Sequence, residues 1–249
     1  RCLMSDTPLM SDYLKNEGAA GRFGERLMAI VADGAGGRIY LSPTPEHESV
    51  ANSIKPQWKP DLIISGSSQY LGQRNYGIGT FDQLFTNRQL VCHTTLCDLV
   101  VEVAKHVKFD ALSAGMLDDE IDLHLGGIGC DAYAQAIQTY LSVIVDRVAY
   151  YGSKLVGWLP KDSALGPSMP RQAIAMSWDF SEANPLTKSS GAISTSAKSV
   201  SDYLDVASTD TPAFVTQADA CAESSNTLLS VISTDPPYYD NVPYSDLSD

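Results

Sequence analysis

The feature that most constrains the fold lies near the carboxyl end, where the run Leu228-Leu229-Ser230-Val231-Ile232-Ser233 opens into Asp235-Pro236-Pro237-Tyr238-Tyr239-Asp240-Asn241-Val242-Pro243-Tyr244. A short aliphatic run closed by a proline pair predicts a buried strand of a parallel sheet. Proline has no N–H to give to a sheet, so the chain must leave the strand at Pro236. The loop then lies at the strand's carboxyl edge, where open α/β sheets place their ligands.

Asp-Pro-Pro-Tyr in that position suits methyl transfer to a planar amino nitrogen. Such a lone pair is delocalised into a ring and is a poor nucleophile until it is localised. The Asp235 carboxylate and the Pro236 carbonyl could accept the two amino hydrogens and turn the nitrogen toward a methyl donor. Two prolines hold φ near about −65°, so that carbonyl is fixed in advance. Tyr238 would stack on the ring, and Tyr239, Asn241 and Tyr244 come directly after it.

Composition bounds the class. The chain has 249 residues, 44% hydrophobic and 19% charged, which suits a globular protein with a sizeable core. No stretch approaches the ~18 apolar residues of a membrane span, and no signal-peptide layout is present, so the expected compartment is the cytoplasm. Cys2, Cys92, Cys97, Cys130 and Cys221 are odd in number and irregularly spaced. They read as reduced thiols in or near the core. No metal site is expected, because Ser5 stands where a Cys-x-x-Cys knuckle would need its second cysteine.

The charge opposes nucleic-acid binding: 17 basic against 30 acidic residues leave −13. Residues 201–249 contribute nine of these charges, with nine acids and no Lys or Arg, whereas residues 51–108 carry six basic residues and four acids. Any grip on phosphate must be local or come from elsewhere.

Along the chain, Gly18 to Gly24 and Gly34 to Gly37 read as tight turns, Arg38 to Leu41 as a strand, and Pro43 to Pro60 as a linker or irregular crossover. The capping box Thr80-Phe81-Asp82-Gln83 predicts a long helix to about His106, with Leu84, Val91, Leu99 and Val103 facing the core. A second helix is expected from about Asp131 to Tyr151. Between them, Gly126 to Gly129 reads as a turn between helices rather than a cofactor cradle, since no acidic strand end follows to hold a ribose. His47, His93, His106 and His124 stand singly and read as surface or satisfied groups. Ser177 to Pro185 reads as an ordered loop pinned by Trp178 and Phe180, and Ser189 to Ser201 as a mobile connection. The expected organisation is a small Gly/Pro-rich region over 1–60, a mainly helical region over 61–200 and a catalytic segment beginning at 201–249.

Several segments together resemble large prokaryotic adenine-specific DNA methylases, some of them from anti-phage gene clusters: Glu17 to Arg22, Tyr76-Gly77, Thr80 to Leu90, Ala136 to Leu141 with Asp146-Arg147, Trp178 to Pro185, and Asp235 to Asp249. The resemblance implies an α/β fold in which a mainly helical insertion joins part of a Rossmann-like methyltransferase sheet. It also implies S-adenosylmethionine-dependent methylation of the adenine amino group in DNA, in restriction-modification or phage defence. By resemblance Asp235, Pro236, Pro237 and Tyr238 carry over as the base-holding loop and Tyr239, Asn241 and Tyr244 as residues lining the pocket, while the residues that hold the cofactor are expected outside this chain. From its two ends the chain reads as an internal piece of a longer protein. Two rival readings are a methylase of RNA bases or protein glutamine, and a non-catalytic interaction segment that binds other phage-defence proteins.

Overall fold

The computed structural model describes residues 1–66, 70–207, 215, 218–219, 221, 231–239, 242 and 244–248. The chain is α/β, but its β structure is slight. An antiparallel hairpin joins β1 (Ile30–Gly34) to β2 (Gly37–Leu41), and a second joins β3 (Trp158–Leu159) to β4 (Ala164–Leu165). The expected Rossmann-like parallel sheet is not found among the described residues. In particular Val231 to Ser233 form no strand, and Val231 and Ile232 are 98% and 79% exposed. Among the described residues, Val231 to Ser233 have no neighbouring strand to give them a ladder. The first half of the aliphatic run, Leu228 to Ser230, lies outside the described residues.

Helices supply the framework. After α1 (Ser11–Ala19) and α2 (Pro45–Ser53), two long helices, α3 (Asn87–Ser113) and α4 (Cys130–Tyr151), pack side by side, and α5 (Ile193–Ala207) lies against α4. The α2 helix falls inside the stretch expected to be a linker. Pro45 stands in its first turn, where a missing N–H costs nothing, and the Thr44 amide donates to His47 Nδ1 at 3.1 Å.

The start of α3 differs from expectation for an identifiable reason: two capping boxes follow one another. Thr80 and Gln83 form the first, which closes only the single 3-10 turn Phe81–Leu84. Phe85 is then extended, and Thr86 with Gln89 forms the second box, whose helix runs to Ser113. The expected core stripe holds only near this end. Leu84 is buried and Val91 half-buried, but Leu99 and Val103 are exposed. The 27-residue helix, about 40 Å long, is buried again at Ala111 near its far end, where Lys108 pairs with Asp131 of α4.

The Ser-rich stretch is likewise helical from Ile193. Its buried and half-buried positions, Ala192, Ile193, Thr195, Ser196, Ala197 and Val200, fall on one face at helical spacing, and small residues let the backbone approach α4 closely. The core sits below the amino end of α3, where Ile64, Leu71, Phe81, Leu84 and Ile174 pack together with Phe85, Leu155 and Leu247 at their margin. Leu247 belongs to α6 (Tyr244–Ser248), the turn of helix that follows the proline loop.

Candidate functional site

Asp235, Pro236, Pro237, Tyr238 and Tyr239 lie on an open loop, with Tyr238 61% and Tyr239 94% exposed. Tyr239 has a φ of 55°, a left-handed conformation that costs a non-glycine residue roughly 1–2 kcal/mol. The Tyr238 amide donates to Tyr244 Oη at 3.0 Å. This bond ties the Tyr244 side chain to the backbone of the tetrapeptide. Asn241 lies outside the described residues. Downstream, the loop is anchored through α6: Asp246 is 5% exposed and its Oδ1 accepts the Ser65 N–H at 2.7 Å, while Leu247 reaches the core.

Four of the other segments marked out by sequence converge far more tightly, at the amino end of α3. Glu182 Oε1 accepts from Thr86 Oγ1 at 3.0 Å and from Arg88 Nε at 2.9 Å, and Glu182 Oε2 accepts from Arg88 Nη2 at 2.5 Å. A carboxylate at a helix N-terminus also meets the positive end of the helix dipole. Arg88 continues to the Ala51 carbonyl at 2.8 Å, tying α2 to the same point. Trp178 packs edge-on against both Phe23 and Tyr76. Beside it, Gly77 has φ 82° and leaves no room for a side chain, since a Cβ there would lie 2.3 Å from the Gly18 carbonyl oxygen. Glu17 to Arg22, Tyr76-Gly77, Thr80 to Leu90 and Trp178 to Pro185 thus form one junction, and its polar groups serve one another.

Gly126 to Gly129 has a similar internal use. Asp119 Oδ2 accepts the amides of Ile128 and Gly129, both at 3.0 Å, and these bonds hold its carboxyl below the usual carboxylate range. A Cβ at Gly127 would lie 2.0 Å from the Ile121 carbonyl oxygen. The loop is folded on its own chain, its amides are engaged, and it does not fit a cradle for S-adenosylmethionine. Nearby, the ligand atoms of Asp118, Cys130 and Asp131 lie within 4.8 Å of one another, and the Lys108 ammonium fills the charge requirement at 2.7 Å from Asp131.

A cavity of about 850 Å³ opens beside the core, between the first half of α3, the last turns of α4 and the stretch from Lys55 to Leu62. Its wall includes His93. His93 Nε2 lies 2.9 Å from the Gly152 carbonyl oxygen, so that nitrogen carries the proton, while the buried Nδ1 has no partner among the described residues. Burial holds the imidazole below its ordinary pKa, against the opposing pull of the Gly152 bond. His93 is therefore only half satisfied, a difference from the sequence reading. The cavity was not legible in the sequence, because its walls come from segments separated by up to about two hundred residues and none forms a motif.

Compared with family models, curated proteins and solved structures, the chain matches none. No helix among the described residues is long and apolar enough to cross a membrane.

Proposed function

We propose that Asp235 to Tyr238 is the acceptor-side loop of an S-adenosylmethionine-dependent methyltransferase that modifies the adenine amino group in DNA. The supporting observation is the loop itself: the tetrapeptide whose chemistry fits an aromatic amine is presented open to solvent and anchored just downstream by α6. The Asp235 carboxylate and the Pro236 carbonyl would accept the two amino hydrogens, directing the nitrogen lone pair outward. Tyr238 would cover the ring face, while Tyr239 and Asn241 border it. An adenine must leave the duplex stack to reach this loop, at a cost of a few kcal/mol that stacking on Tyr238 offsets in part. S-adenosylmethionine would supply the methyl group, held by residues outside this chain. DNA is then the partner, in restriction-modification or phage defence, with other defence proteins as further partners.

The acidity of the segment favours one second reading, an uncharged amide acceptor such as protein glutamine, since residues 201–249, which include the loop, hold nine acidic residues and no Lys or Arg. Both readings are tested by supplying labelled S-adenosylmethionine and DNA, RNA or protein to the full-length protein that carries this chain. Label in N6-methyladenine of DNA, abolished by Asp235→Ala, is the expected result. Label only in protein would favour the second reading. Undiminished transfer by Asp235→Ala would remove the loop from the chemistry in either case.

A further inference from the structure

The cavity beside α3 combines features that select one class of ligand. Its aromatic wall includes Trp58, Phe85 and Tyr150, and its volume is in the range of small-molecule sites. Two carboxylates also line it, Asp98 from α3 and Asp146 from α4. Both act on the same sulfur: the Cys97 thiol is pushed up first by burial and then by the charges of Asp98 and Asp146. The two acids reach one cavity from different helices, and neither has a hydrogen-bonding or ion-pair partner among the described residues. The third lining carboxylate, Asp246, is already engaged by Ser65. Lys55 is the one basic residue of the wall, leaving acceptor charge in excess.

The wall thus offers carboxylates and aromatic faces, both of which favour a positively charged N–H donor. We propose that this cavity binds an organic ammonium: a compact apolar or aromatic body carrying a primary amine, with the body against Trp58, Phe85 and Tyr150 and the ammonium near Asp98 and Asp146. The proposal is independent of the methyltransferase reading of the proline loop.

Three probes of matched size and different charge test it: phenethylamine, 2-phenylethanol and 3-phenylpropionate, each titrated calorimetrically into the chain at low salt and near neutral pH. Phenethylamine should bind at least about ten-fold more tightly than the other two, and added salt should weaken it. The double variant Asp98→Asn/Asp146→Asn changes two exposed side chains and should reduce phenethylamine to the level of the alcohol. Bound amine should also slow alkylation of Cys97, read by mass spectrometry. Equal binding of all three probes, binding of none, or full amine affinity in the double variant would overturn the proposal.

Discussion

At the start of α3, one carboxylate, Glu182, takes hydrogen bonds from Thr86 and from the Nε and Nη2 of Arg88, and Arg88 in turn holds α2. At the proline loop, a single hydrogen bond among the described residues, from the Tyr238 amide to Tyr244, reaches residues 231–239. Both regions carry unusual residue clusters, and both stand out in the sequence. The difference lies in what remains available. At the junction the polar groups of Thr86, Arg88 and Glu182 are spent on one another and on α2, which makes it a structural joint. At the loop the Asp235 carboxylate and the Tyr238 ring remain available to a ligand. A dense cluster of polar and aromatic residues marks a joint as readily as a site, and the hydrogen-bond partners separate the two.

The largest effect expected on this contrast comes from the core beneath the junction. Leu71 is fully buried, so Leu71→Ala should cost about 3 kcal/mol in urea unfolding, whereas Val231→Ser, beside the loop and 98% exposed, should change stability by less than about 0.5 kcal/mol. Comparable losses in the two variants would mean that residues 231–234 are covered by something and would break the comparison. Next, Glu182→Ala should cost about 2 kcal/mol, since it strands Arg88 and removes the charge at the helix start. A double-mutant cycle with Arg88→Ala should show strong coupling, and additive losses would argue that Glu182 is not the joint.

A pH series sharpens the contrast on the cavity side. The folded-state pKa of His93 lies below its ordinary value of 6.5 because burial disfavours the imidazolium. Above 6.5 both states are neutral and the full stability is present; as pH falls through 6.5 toward the folded-state value, the unfolded chain takes up the proton first and stability declines. His93→Gln keeps a donor for Gly152 and should flatten the fall in Tm between about pH 6.5 and 5. An unchanged slope would assign that acid sensitivity to other groups. The smallest effect is expected at the loop's own tether. Tyr244→Phe should change stability by less than about 0.5 kcal/mol while speeding hydrogen exchange at the Tyr238 amide.

Sequence and tertiary structure divide along the range of the interactions involved. Local chemistry was legible before any coordinates: the strand from Arg38 to Leu41, the helix from about Asp131 to Tyr151, the turn at Gly126 to Gly129 and the capping box at Thr80 all rest on residues within a few positions of one another. Where two local signals competed, the sequence alone chose wrongly, because the box at Thr86 and not that at Thr80 opens the long helix, and the chain between them must extend to reach the core. Burial depends on partners distant in sequence. Val231 to Ser233 have a strand's composition, but a strand needs a neighbour, and among the described residues none is offered. Ser196 has the composition of a mobile linker residue and is 1% exposed because α4 lies against it. The cavity is the extreme case: Trp58, His93, Asp98 and Asp146 carry no local pattern, and only the packing of α3 on α4 makes them one wall.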